Sequence, residues 1–180
     1  MLCNVSSRRI RLRAIHLLVV ASLAIGIAPV AIADTIPVCP RVRSSSAYLR
    51  GVIDGAARLS RTFRGLVAII EATDGIVYVE PGACRYGARA CMSLTVTPAG
   101  GYRFLRILVD ANRAPELLMA SIGHELQHAV EVLVEPTLVS SSAVYLFYAR
   151  AGAVSHPFET ATAIAAGFDV SREVEAAVRR

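Results

Sequence analysis

Lysine and tryptophan are both absent from this chain of 180 residues, so all 19 strongly basic side chains are arginines. The sequence also contains no glycine-rich phosphate-binding loop, no serine in a nucleophile-elbow pattern and no internal repeat. These absences argue against a nucleotide-dependent enzyme, an α/β-type serine hydrolase and a repeat protein. The missing lysine indicates a compositional bias and no function.

Only one long run of the chain lacks charge, and it lies near the N-terminus. Residues 17–33 contain no charged side chain and follow four arginines, Arg8, Arg9, Arg11 and Arg13. The Ala-Ile-Ala sequence at residues 31–33 is typical of a cleavage site, which predicts a signal peptide over residues 1–33 and an exported protein. The alternative is an uncleaved membrane anchor over residues 14–33, because the run is long enough to span a bilayer.

Removal of the signal peptide changes the charge balance of the chain. Four of the 19 arginines leave with it, whereas all 14 acidic residues follow it, so 15 arginines and a net charge of +1 remain. The basic character therefore belongs mainly to the targeting segment, and a nucleic-acid partner is not expected. The remaining 147 residues suffice for one domain with a hydrophobic core. We predict an extended lead-in over residues 34–46 and a single domain over residues 47–180.

The use of cysteine is consistent with export. Cys84 and Cys91 are seven residues apart with Gly87 between them, and in an oxidising compartment this spacing predicts a small disulfide loop. A zinc site on this pair is less favoured, because neither a Cys-x-x-Cys spacing nor a nearby histidine accompanies it. Cys3 would leave with the signal peptide, and the sequence leaves the state of Cys39 open.

Hydrophobic periodicity predicts an α+β domain with an N-terminal helix, a small four-stranded sheet, a long central helix and a helical C-terminal part. The predicted strands cover residues 66–70, 76–79, 92–96 and 102–109, and the predicted helices cover residues 47–63, 115–134, 144–148 and 158–166, with a last helix capped by Ser171. Thr-Asp-Gly at residues 73–75 and Pro-Ala-Gly-Gly at residues 98–101 are typical of hairpin turns. One edge strand of this sheet could pair with an extended peptide.

The central helix carries the motif His-Glu-x-x-His at residues 124–128. Residues four apart lie on one face of a helix, so His124 and His128 can direct two imidazole nitrogens at one cation. Glu125 is adjacent in sequence and close enough to take a proton from a water molecule on that cation. The opposite face is expected to pack into the core through Leu118, Ile122, Leu126 and Val130. The motif therefore predicts a zinc site with Glu125 as the general base.

A catalytic zinc ion needs a third protein ligand in addition to the two histidines. Glu159 is favoured, because it lies 31 residues beyond His128 at the start of a predicted helix that can turn back over the motif. Glu131 is seven residues beyond His124, about 10 Å along the helix axis, and is expected either to orient the His128 imidazole or to be a charge on the helix surface. His156 and Glu131 remain the alternatives for the third ligand.

The motif and the order of elements resemble the zincin metallopeptidases, and in particular their gluzincin branch. In that branch a glutamate on a later helix completes the site, which implies His124, His128 and Glu159 as zinc ligands and Glu125 as the base. The resemblance covers roughly residues 47–166, although only the five-residue motif is specific. The metzincin continuation is absent, since Glu131 and Val134 occupy the positions of its glycine and third histidine.

The resemblance implies hydrolysis of peptide bonds by a zinc-activated water molecule, with Glu125 as general base. A proton donor would stabilise the oxyanion, and Tyr145, Tyr148 and His156 are the candidates. The chain is accordingly expected to be an exported zinc metallopeptidase acting on a peptide or protein substrate, and to meet a membrane only if the N-terminal segment is retained. The competing interpretation is a catalytically inactive zincin-like protein whose zinc is structural or whose cleft binds a partner.

Overall fold

Five α-helices and five short strands form an α+β domain in residues 40–151 and 158–180, the parts of the chain that this computed structural model describes. The predicted signal peptide or membrane anchor, Cys39 and His156 lie outside these residues. Among the helices described, none combines the length and the apolar character needed to cross a membrane.

The helices and strands alternate irregularly along the chain. The strands are β1 (Val42–Arg43), β2 (Gly75–Pro81), β3 (Ala90–Met92), β4 (Thr97–Ala99) and β5 (Tyr102–Val109). The helices are α1 (Ala47–Leu59), α2 (Arg61–Glu71), α3 (Pro115–Leu133), α4 (Ser141–Arg150) and α5 (Ala161–Val178), and a single 3₁₀ turn covers Arg85–Gly87. The predicted helices at residues 115–134 and 144–148 correspond to α3 and α4.

The sheet is mixed, and β5 is its central strand. Strand β2 runs parallel to β5 along one edge, with Val77 opposite Leu105, and β1 continues the sheet in parallel beyond β2. The other edge of β5 is shared by two antiparallel strands, with β4 beside its beginning and β3 beside its end. The predicted hairpin turn before β5 is confirmed, although its first strand is β4 and not residues 92–96. Gly100 and Gly101 adopt positive φ angles of 59° and 81° in this turn, as a type I′ turn requires.

The predicted strand over residues 66–70 is wrong, because this segment belongs to helix α2. A five-residue apolar run fits either structure, and Phe63, Leu66 and Ile70 are buried at helical spacing. The predicted helix over residues 47–63 is correspondingly two helices, separated at Ser60. Residues 73–75 are consequently a helix-to-strand connection, and the predicted hairpin at this position is also wrong.

The remaining corrections concern short strands and the C-terminal helices. The lead-in over residues 34–46 was expected to be extended, and its described part contains β1. The predicted strand over residues 92–96 is replaced by the separate strands β3 and β4, so the described sheet has five strands and not four. The predicted helix over residues 158–166 and the one capped by Ser171 are one continuous helix, α5. Gly167 lies inside α5 and does not end it.

The junction between α1 and α2 is fixed by a glutamate from α5. The hydroxyl of Ser60 caps α2 by accepting a hydrogen bond from the backbone N–H of Phe63, and it donates one to Glu173 at 2.6 Å. Glu173 also accepts bonds from the backbone N–H of Thr62 at 3.0 Å and from Nε of Arg61 at 2.9 Å. The carboxylate thus lies at the positive end of the α2 dipole and ties three helices together.

Helix α3 is the central element of the domain. Eleven of its 19 residues are buried, including all four residues of the predicted core face. Its C-terminal end is held by Arg103 of β5, which is 3% exposed. The guanidinium donates to four backbone carbonyl oxygens at and beyond this end, those of Val132, Leu133, Glu135 and Leu138. Its remaining N–H groups bond the carboxylate of Asp74 at 2.7–3.0 Å.

Arg103 should therefore contribute strongly to stability. We expect Arg103→Ala to lower the free energy of unfolding by about 3–5 kcal/mol, because it leaves buried carbonyl groups and a carboxylate without a partner. Urea denaturation would measure the change. The control is Arg106→Ala on the same strand, where the exposed side chain should contribute less than about 0.5 kcal/mol. Equal effects of the two substitutions would contradict the capping role.

Glu173 should make the domain sensitive to acid. Partial burial alone would raise the pKa of Glu173, but hydrogen bonds from Ser60, Thr62 and Arg61 outweigh it and lower this pKa from 4.5 to about 2. Since the pKa is lower in the folded state, the ionised carboxylate stabilises the fold above about pH 4.5, and this contribution is lost as the pH falls toward 2. We expect Glu173→Gln to destabilise the protein at pH 7 and to flatten the decline in stability between pH 5 and pH 2. A parallel acid titration of native protein and variant, with the same slope in both, would contradict this.

Candidate metal centre

Two glycines allow α3 and α5 to pack closely in antiparallel orientation. A Cβ atom on Gly123 of α3 would lie 2.8 Å from the side chain of Val170, and one on Gly167 of α5 would lie 3.2 Å from Cβ of His124. Contacts between Glu131 and the first residues of α5 extend the same antiparallel register to the other end. This packing brings the segment that precedes α5 next to the motif helix.

Three predicted metal ligands converge at this contact. One donor atom each from His124, His128 and Glu159 lies within 4.8 Å of the others, and Nε2 of His124 is 3.1 Å from Oε2 of Glu159. Glu159 does not begin a helix as expected, but lies just before Thr160, the N-cap of α5. The side chains of His124 and Glu159 are 21% and 33% exposed, whereas that of His128 is 6% exposed, so the cluster is open to solvent on one side.

Glu131 connects helix α3 to the segment that carries Glu159. One of its carboxylate oxygens lies 3.1 Å from Nδ1 of His128, which leaves Nε2 of that ring for the shared position. The other oxygen accepts hydrogen bonds from the hydroxyls of Thr160 at 2.7 Å and Thr162 at 2.6 Å. Glu131 thus contacts a histidine of α3 and the residue that follows Glu159, and its position matches the orienting role expected of it.

The electrostatics of the cluster follow from burial and from the carboxylates. Burial lowers the pKa of His124, and the nearby Glu159 only partly opposes this. Burial also lowers the pKa of His128, but the bond to Glu131 and the surrounding carboxylates outweigh it and raise this pKa overall. For Glu131 itself, burial opposes ionisation, yet the bonds from His128, Thr162 and Thr160 lower its pKa to about 2. Glu131 is therefore a fixed negative charge behind His128.

Glu125 is directed toward the sheet. Its Oε2 accepts a hydrogen bond of 2.7 Å from the backbone N–H of Met92 at the end of β3. Burial raises its pKa to about 7, against the opposing effects of His128 and of the Met92 N–H. The group can therefore change its protonation state near neutral pH, which suits a residue that accepts and returns a proton.

The predicted disulfide is confirmed and fixes the strand that contacts Glu125. Cys84 and Cys91 are bonded, and Cys91 is the residue of β3 that directly precedes Met92. The loop between the two cysteines includes the 3₁₀ turn, with Gly87 at a positive φ of 69°. The covalent loop therefore ends next to the backbone N–H that holds Glu125.

The two tyrosines predicted as oxyanion donors lie in different environments. Tyr148 of α4 is 2% exposed, and its hydroxyl donates a hydrogen bond to the backbone carbonyl of His128 at 3.1 Å. Burial, reinforced by Glu131, raises the pKa of Tyr148, so the hydroxyl stays protonated. Tyr145 is 53% exposed and its ring contacts Phe158. Among the described residues, the Tyr148 hydroxyl thus bonds the backbone of α3 and not a side chain of the three-residue cluster, and His156 lies outside the described residues.

The donor set fits a zinc-class cation. Two imidazoles and one carboxylate form one of the common three-ligand sets of catalytic zinc. Ligand atoms arranged tetrahedrally around zinc at about 2.1 Å lie roughly 3.4 Å apart, close to the 3.1 Å between His124 and Glu159. The Glu131 carboxylate behind His128 is the outer partner that a metal-bound histidine usually has.

Several residues of the site could not be recognised in the sequence. Thr160 and Thr162 look like ordinary helix-start residues, and the Met92 contact involves only the backbone. Gly167 reads as a helix stop, but its role is to let α5 approach His124. The only indication of these contacts in the sequence is the spacing of Thr160 and Thr162 at the start of a helix.

Comparisons with known proteins identify no relative, since no family model, no curated protein and no solved structure matches the chain. Only the geometry and chemistry of this chain therefore bear on its function.

Glu131 should increase metal affinity without binding the metal. We expect Glu131→Gln to weaken zinc binding by about 10- to 100-fold, because it removes the negative charge that orients and polarises His128. Competition with a chromophoric chelator would measure the affinity. Glu116→Gln, an exposed glutamate on the same helix, is the matched control and should leave it unchanged. Zinc affinity equal to that of the native protein in Glu131→Gln would contradict the orienting role.

Proposed function

We propose that this protein is a zinc-dependent hydrolase that cleaves peptide bonds. The observation that carries the proposal is the convergence of His124, His128 and Glu159, with donor atoms within 4.8 Å of one another, at the helix that also carries Glu125. A buried carboxylate with a pKa near neutrality is not needed for a purely structural metal site, but it is what a general base requires.

In this proposal His124, His128 and Glu159 hold the zinc ion, with Nε2 as the ligand atom of each histidine. A bound zinc ion supplies a Lewis acid that polarises a carbonyl group and acidifies a water molecule. Glu131 keeps the proton of His128 on Nδ1, so that Nε2 remains an acceptor. Thr160 and Thr162, which follow Glu159, both bond Glu131 and so hold the segment with Glu159 against α3.

Glu125 is the general base of the proposed reaction. Its Oε2 is occupied by the Met92 N–H, so Oε1 is the atom that takes the proton of the attacking water molecule. The same atom can later deliver that proton to the leaving amine. Burial excludes bulk water from the carboxylate and raises its pKa, which increases its strength as a proton acceptor and lets it act in both directions near neutral pH.

An extended peptide is the substrate class best supported by the sheet. Strand β3 is an edge strand of the described sheet, where its only strand partner is β5, and its Met92 N–H contacts Glu125. Its outer backbone groups could pair with a peptide running past Glu125. The disulfide at β3 supports an exported location, because such bonds persist in oxidising compartments.

A non-catalytic metal protein is the second candidate. The observation in its favour is that Glu125 is only 7% exposed and already bonded to the sheet. In such a protein the carboxylate would stabilise β3 against α3, and the three-residue cluster would hold a structural ion or a partner's side chain.

Substitution of Glu125 should separate the two candidates. We expect Glu125→Gln to retain about one zinc ion per chain and to lose at least about 100-fold in the rate of hydrolysis, since the amide cannot accept the proton. The measurements are zinc content by atomic emission and cleavage of a mixture of quenched fluorescent peptides. Glu116→Gln is the matched control and should retain both properties.

Each contrary outcome has a distinct meaning. Unchanged hydrolysis in Glu125→Gln would remove this residue from the mechanism. Zinc in the native protein without peptide cleavage would favour the non-catalytic candidate. Zinc content unaffected by Glu159→Ala would exclude Glu159 as the third ligand.

A further inference from the structure

A groove lined by arginines lies where the end of α1, the start of α2 and the second half of α5 meet. It encloses about 480 Å³, and five of the side chains that line it are arginines, Arg58, Arg61, Arg64, Arg172 and Arg180. Among the described residues, Glu173 is the only acidic side chain of the lining. The part of the chain after residue 33 carries 15 arginines and 14 acidic residues, so this groove concentrates positive charge in an otherwise balanced molecule.

The one carboxylate of the groove does not neutralise the arginines around it. Glu173 accepts hydrogen bonds from Ser60, Thr62 and Arg61 at the start of α2. Arg64 donates to the backbone carbonyls of Ala57 and Arg58, and Arg172 pairs with Asp169. The guanidiniums of Arg58 and Arg180 have no acidic partner among the described residues. The groove therefore retains a net positive charge.

We propose that this arginine groove binds a ligand that carries several phosphate groups in a row. Arginine presents a planar fork of N–H donors that matches two oxygens of one phosphate group. The five guanidiniums that line the groove come from α1, α2, α5 and the residue Arg180 that follows α5. One phosphate group has too few oxygens to pair with all of them, so a ligand with several phosphate groups can engage more of the groove than a single phosphate can.

The walls of the groove favour phosphates over an acidic peptide. The remaining lining residues are Leu59, Ala176 and Ala177, which offer no side-chain hydrogen bonds. The groove residues of α1, α2 and α5 are helical, so these elements offer no strand edge to pair with the backbone of an extended peptide. A peptide would find no backbone partner in these walls, whereas a chain of phosphates or an array of phospholipid headgroups needs none.

This groove is separate from the candidate metal centre. Arg172 lies 11 residues beyond Ala161, the first residue of α5, which is roughly 17 Å along the helix. None of the groove residues belongs to the cluster of His124, His128 and Glu159. The proposal therefore does not depend on the proposed hydrolase function.

Binding of tripolyphosphate tests the proposal. The full chain is titrated with sodium tripolyphosphate, and the variant R58Q/R172Q/R180Q is compared with R85Q/R106Q/R150Q, which removes three exposed arginines outside the groove. We expect the groove variant to bind at least about tenfold more weakly and the control to change less than about twofold. Urea denaturation of both variants verifies that they are folded.

A second measurement identifies the source of the phosphates. Co-sedimentation with phosphatidylglycerol vesicles, beside neutral phosphatidylcholine vesicles, is carried out with the same two variants. Selective loss of phosphatidylglycerol binding in the groove variant, with competition by tripolyphosphate, would assign the groove to anionic headgroups. Tripolyphosphate binding without vesicle binding that depends on the groove would assign it to a soluble phosphate chain.

Three results would overturn the proposal. The first is a failure of the native chain to bind either probe. The second is an equal loss of binding in both variants, which would reflect net charge and not the groove. The third is binding of polyglutamate as tight as that of tripolyphosphate and lost in the same variant, which would indicate an acidic peptide partner.

Discussion

The close packing of α3 against α5 is the constraint on which the candidate site depends. His124 and His128 are placed by the geometry of one helix, but Glu159 reaches them only because α5 runs back along α3 at short distance. Gly123 and Gly167 make that distance possible, since a methyl group at either position would lie within 3.2 Å of a side-chain atom of the other helix. Close contact of this kind leaves little room for the side chains to adjust, so the geometry of the site depends on the packing of the core.

The site concentrates buried charge, and each charge is compensated by a specific neighbour. Glu131 accepts bonds from Thr160 and Thr162 and contacts His128, which keeps it ionised despite its burial. Glu125 receives only one N–H bond, and its pKa rises to about 7. Two carboxylates on the same helix thus have opposite properties, because burial dominates the pKa of Glu125 whereas hydrogen bonds outweigh burial for Glu131. This difference supports a fixed orienting charge at Glu131 and a proton acceptor at Glu125.

The sequence predicted those parts of the structure that follow from local spacing. Helix α3, the β4–β5 hairpin and the Cys84–Cys91 disulfide were recognised because periodicity, a Gly-Gly turn and cysteine spacing act over a few residues. The apolar run at residues 66–70 and the glycine at position 167 were misread, because tertiary packing decided both. The proximity of Glu159 to the histidines was expected from its position, whereas the Arg103 cap and the Met92 contact depend on partners about 30 residues away and had no local signature.

The position of Glu125 depends on a short edge strand of the sheet. Strand β3 has three residues, pairs with β5 alone among the described strands, and supplies the N–H that bonds Glu125. A strand of this length contributes few ladder hydrogen bonds and would separate easily from the edge of β5. The disulfide at Cys91 closes the loop directly before Met92 and so restricts that motion. The disulfide therefore lies one residue away from the hydrogen-bond donor of the proposed base and helps to hold that donor in place.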